Sequence, residues 1–92
     1  MSHLDDLLKQ AEEEMASALL KKHKGMSEER AAKRAQITIP LAARIVREQI
    51  LPSRILPDEQ KIKEIKFYFI EVDVSDETAT AIAEQFIKES RG

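Results

Sequence analysis

Three of the four aromatic side chains in this chain stand side by side, at Phe67, Tyr68 and Phe69; the fourth is Phe86. A chain with so few large side chains has to build its core where they are, because a buried aromatic removes far more apolar surface from water than an alanine does. The three lie within Ile-Lys-Phe-Tyr-Phe-Ile-Glu-Val-Asp-Val, residues 65–74, the richest run of β-branched and aromatic residues in the chain. Such side chains suit a pleated, half-buried surface. Read as a strand, Ile65, Phe67 and Phe69 face one way and Tyr68, Ile70, Val72 and Val74 the other. Read as a helix, Ile62, Ile65, Phe69 and Val72 share one face, and Phe67 and Ile70 are left among charges. The strand is the preferred reading, since it leaves only Glu71 and Asp73 awkwardly placed.

A single strand needs partners for its backbone donors and acceptors. The one short companion on offer is Gln36-Ile37-Thr38-Ile39. The expected mate is therefore the same strand in a second subunit, or a sheet edge in another protein. Phe67, Tyr68, Phe69 and Ile70 become interface candidates, and the expected assembly is a homo-oligomer or a complex with a partner protein.

The rest of the chain reads as helix. Glycine occurs only twice, at Gly25 and at the last residue, so there is almost no flexible punctuation. Residues 4–24 carry Leu4, Leu7, Leu8, Ala11, Met15, Ala18 and Leu19 at spacings of three and four, with Ser2 as a cap, Asp5 and Asp6 in the first turn and Gly25 as the stop. A second helix begins at Ser27. Pro40 lacks an amide hydrogen, so a break or kink is expected near Ile39, followed by a helical stripe of Ala42, Ile45, Val46, Gln49 and Ile50. Pro52 and Pro57 bracket a loop over residues 51–57, whose Leu51, Ile55 and Leu56 are expected to pack on the domain. Ser75 caps a last helix with Ala79, Ile82, Ala83, Phe86 and Ile87 on one face and fraying at residues 90–92. These readings give one domain over residues 1–92. The fold class is an α-dominated α+β fold, three to four helices with one strand at about residues 65–74 paired across an interface. An all-α helical bundle is the alternative.

Charge is segregated although the net formal charge is only −2. Residues 1–17 hold one basic against five acidic side chains, residues 18–54 nine against three, and residues 55–92 five against nine. At ~100° per residue, Arg30, Lys33, Arg34, Arg44 and Arg47 fall on one side of a helix that keeps its phase through Pro40. Guanidinium groups in a row suit phosphate or carboxylate recognition. With no aromatic interleaved, stacking on single strands is disfavoured. An acidic protein surface is preferred as partner over nucleic acid, because the acidic flanks repel a polyanion.

Nothing in the sequence specifies catalysis. The chain has no cysteine, which excludes disulfides and a thiol nucleophile. His3 and His23 read as solvated residues. The acidic runs 12–14 and 76–77 sit where helices use acidic side chains structurally. With one internal glycine there is no phosphate-cradling loop, and no metal-ligand spacing is present, so no metal or other cofactor is expected. The apolar runs are far too short for a membrane span, and no secretion signal is visible, which makes a cytoplasmic location the default expectation. The functional expectation is a small non-enzymatic interaction or regulatory protein. The alternative is a nucleic-acid-binding module using the central basic stripe.

Overall fold

The computed structural model describes residues 3–91. Among them are four α-helices and no strand: α1 (His3–Lys22), α2 (Glu28–Ile45), α3 (Asp58–Glu71) and α4 (Asp76–Arg91), with a π-helical turn (Val46–Ile50) continuing α2. The all-helical alternative is the correct one, and the α+β reading is overturned.

Residues 65–74 are the reason. Residues 58–71 satisfy their backbone groups within α3, which a single strand could not do. The helix then places Ile65 and Phe69 in the core, both fully buried, with Ile62 partly buried beside them. The β-like tail ends the helix. Asp73 adopts φ 69°, the left-handed region where glycine is the usual occupant. Its N–H donates to the Ile70 carbonyl (3.0 Å) and the Val74 N–H to the Phe69 carbonyl (3.1 Å). This pair of bonds is a Schellman motif, and the buried Val74 side chain supplies its usual apolar contact with the last helical turn. Lys22 of α1 forms an ion pair with Asp73 and holds the corner against the neighbouring helix.

The other boundaries follow local chemistry. Ser27 caps α2, accepting from the Arg30 N–H at 3.1 Å, and Ser75 caps α4, accepting from the Thr78 N–H at 3.2 Å. The expected cap Ser2 lies outside the described residues. Pro40 does not end α2, which continues past it. Proline leaves the Gln36 carbonyl without its i+4 donor, at a position where both residues are exposed. The irregularity comes later instead, where the Leu51 N–H reaches back to the Val46 carbonyl at 2.9 Å and widens the turn. In the following loop, Leu51 and Leu56 are partly buried as expected, while Ile55 is 92% exposed and does not pack.

The helices run up, down, up and down. α1 packs on α2, and α3 on α4, while α1 and α4 lie antiparallel: Gln10 and Glu14 reach Thr78, and Lys22 reaches Asp73. The largest fully buried side chains are Phe69, Phe86, Ile39, Ile65, Ile82 and Val46, contributed by α2, its π turn, α3 and α4. Leu4, Ala11, Met15 and Leu19 complete the core from α1. The fourth side of the bundle is thin. α2 approaches α3 only toward its C-terminal end, through the π turn, and elsewhere the two helices stand apart.

Candidate functional site

Several exposed apolar residues lie on the outer faces of α2 and α3. α2 has two apolar stripes. Ala31, Ala35, Ile39, Ala42 and Val46 are buried. Beside them run Ile37, Leu41 and Ile45 at i, i+4 and i+8, of which Ile37 is 70% and Leu41 52% exposed and Ile45 is half-buried. On α3, Phe67 is 61% exposed, and Tyr68 and Ile70 lie near the border between half-buried and exposed. Between the helices is a groove of about 560 Å³ whose walls include Ile45, Gln49, Lys63, Glu64, Phe67 and Tyr68.

Of the four interface candidates, three are therefore at the surface. Phe69 is the correction: it is wholly buried in its own chain and cannot meet a partner. The physical reason is the change of period. A strand would pair Phe67 with Phe69 on one face, whereas a helix rotates them ~200° apart. The apolar pair Ile37 and Leu41 was not foreseen, because the Ile-Thr-Ile run reads as strand-like. The signal was available in the four-residue spacing of Ile37, Leu41 and Ile45.

The basic stripe is only partly assembled. Arg30, Lys33 and Arg34 are exposed on the N-terminal half of α2, flanking Ile37, and make no ion pair among the described residues. Arg44 is engaged by Glu48 one turn later, at 3.1 Å. Arg47 leaves the stripe: its guanidinium lies 5.5 Å from the centroid of the Phe86 ring, in a cleft lined by Asp5, Glu12, Ile39 and Ala43. The five cations thus do not form one continuous row.

An extended polar cluster around Glu14 is structural. Glu14 of α1 accepts from the Thr78 hydroxyl at 2.6 Å, the Ser75 N–H at 2.8 Å and the Gln10 amide at 3.1 Å. Desolvation pushes its pKa up, but the hydrogen bonds from Thr78, Ser75 and Gln10 together outweigh that and leave it below the ordinary value. A carboxylate at the start of α4 also meets the positive end of the helix dipole. Arg91 similarly holds Asp58 below the usual carboxylate range across the α3–α4 ends. Among the described residues no group of three or more His, Asp or Glu side chains is placed to hold a metal ion, and no helix is long and apolar enough to cross a membrane.

No protein-family model, no curated protein and no solved structure matches this chain.

Proposed function

We propose that this protein is a non-enzymatic interaction module that works through protein–protein contacts made by the outer faces of α2 and α3. The observation that carries this reading is the exposure of Ile37, Leu41 and Phe67 on two adjacent helices of so small a bundle. Scattered single apolar residues on a surface need no explanation, but a group of large ones around an open groove marks a docking surface. The flanking cations Arg30, Lys33 and Arg34 add a charged rim to an apolar centre, which is the usual anatomy of an interface. A photo-crosslinking residue placed at Leu41 or Phe67 should capture protein in the cell that makes this chain, while the same probe at Lys88 on α4 should not. Equal labelling from all three positions would count against the reading.

A second reading, nucleic-acid binding, is favoured by one observation: the three unpaired cations on α2. It ranks lower because Arg44 and Arg47 already have partners inside the chain, Glu48 and the Phe86 ring, which interrupt the row.

A further inference from the structure

We infer that the N-terminal half of α2 receives an acidic, amphipathic segment of another protein, which seats a large apolar side chain beside Ile37 and sets Asp or Glu residues against Arg30, Lys33 and Arg34. This rests on the docking-surface reading above and adds the chemistry of the partner.

The first support is charge. Arg30, Lys33 and Arg34 are exposed and form no ion pair among the described residues. At ~100° per residue they fall within ~60° of a line drawn through Ile37 and Leu41. Glu28 and Glu29, the acidic residues of α2, fall ~100° or more from that line. Lys24, in the turn that leads into the helix, is a fourth exposed cation without an ion pair. The uncompensated charge belongs to this half of the helix, because further along the same line Arg44 is already held by Glu48 at 3.1 Å. α3 does not supply the missing acids, since it meets α2 only toward the π turn. Arg30 stands one turn from both Lys33 and Arg34. Like charges at that spacing weaken a helix, and carboxylates of a partner relieve the repulsion.

The second support is what the cations enclose. Met26, Arg30, Lys33, Arg34 and Ile37 wall an open concavity of about 360 Å³. Met26 packs against the core at its base, and Ile37 and Leu41 stand exposed beyond it. The seat is therefore apolar and its rim positive. A polyanion such as nucleic acid would engage the rim and leave Ile37 and Leu41 in water. A helix lying in a bilayer surface keeps its cations to the sides of the apolar face. Here Arg30 lies in line with Ile37 and Leu41, so insertion would carry a guanidinium in with them. A segment that alternates acidic and large apolar side chains satisfies both the rim and the seat.

The test is selection from a random-peptide display library against the immobilised full chain. Recovered peptides are then synthesised and titrated by fluorescence anisotropy, with circular dichroism to confirm that each variant keeps its helices. The binders should be enriched in Asp and Glu interspersed with Leu, Ile or Phe. Arg34→Glu should weaken them by roughly tenfold in Kd, and Ile37→Ser by a similar factor. Lys88→Glu on α4 changes the net charge equally and should leave Kd within about twofold. An empty selection, binders without acidic enrichment, or binders indifferent to Arg34→Glu overturn the inference. If such binders are nevertheless lost in Leu41→Ser or Phe67→Ser, the docking surface stands and only the acidic partner falls. Binders indifferent to Ile37, Leu41 and Phe67 alike remove the docking surface as well. An empty selection together with sedimentation on phosphatidylserine vesicles that Arg34→Glu abolishes would make a membrane the occupant instead.

Discussion

Glu14 on α1 accepts a 2.6 Å hydrogen bond from the hydroxyl of Thr78, 64 residues along the chain, and so closes the bundle by tying its first helix to its last. Thr78 is the one buried polar side chain among the described residues, and Glu14 is what satisfies it. The same carboxylate accepts the Ser75 N–H at the start of α4. One side chain thus serves as a tertiary contact and as a second cap, alongside the Ser75 hydroxyl.

Glu14→Ala should lower the unfolding free energy by about 1–3 kcal/mol, the range for losing charge-assisted hydrogen bonds to a buried donor. The effect should depend on pH with a definite sign. The folded-state pKa of Glu14 lies below the ordinary glutamate value, so the charged form is the one that folding favours. Its contribution is complete above the unfolded pKa and is lost as pH falls through the folded one. Urea titrations of wild type and Glu14→Gln should therefore differ most near neutrality and converge in acid. A gap that stays constant down to the lowest accessible pH would show that the carboxylate charge is not involved.

Asp73 is the only non-glycine residue among those described with positive φ. Asp73→Val, β-branched and unsuited to the left-handed region, should cost about 1–2 kcal/mol in chemical denaturation. Asp73→Asn keeps a residue tolerant of that conformation and removes only the exposed pair with Lys22, so it should stay within about 1 kcal/mol of wild type. Equal losses from both would place the weight on the ion pair rather than on the backbone.

Phe69 and Phe67 are two residues apart and should behave oppositely. Phe69→Ala removes a wholly buried ring and should cost about 3–5 kcal/mol. Phe67→Ala, measured where the chain is monomeric, should change stability by no more than about 0.5 kcal/mol. Similar large losses from both would restore the alternating pattern of a strand, which sets the two rings on one face, and refute α3 as described.

Duplex DNA should bind weakly near physiological salt. Each phosphate contact contributes a slope of about −0.9 in log affinity against log salt, and Arg30, Lys33 and Arg34 are the stripe cations with no partner inside the chain among the described residues. The expected slope is no steeper than about −3. Sub-micromolar binding with a steeper slope, abolished by Arg34→Ala, would put nucleic acid ahead of a protein partner.

Local chemistry in the sequence determined most of the helices: Ser27 and Ser75 start them, the spacing of Ala79, Ile82, Ala83 and Phe86 sets the buried face of α4, and Gly25 follows the end of α1 closely. It also pointed to the exposed apolar residues of α3, since Phe67 and Ile70 are those a helical reading strands among charges. Taken as an objection to the helix, that exposure favoured a strand; the folded bundle accepts it. Only tertiary structure could decide between the two, because β-propensity reflects packing against neighbours, and α3 finds its neighbour in α4 rather than in another strand. Tertiary structure likewise decided that Pro40 stays within α2, on the exposed side of that helix, and that Arg47 leaves the basic stripe, because the Phe86 ring of α4 lies within its reach. Those outcomes depend on how the helices pack, and no local pattern contains them.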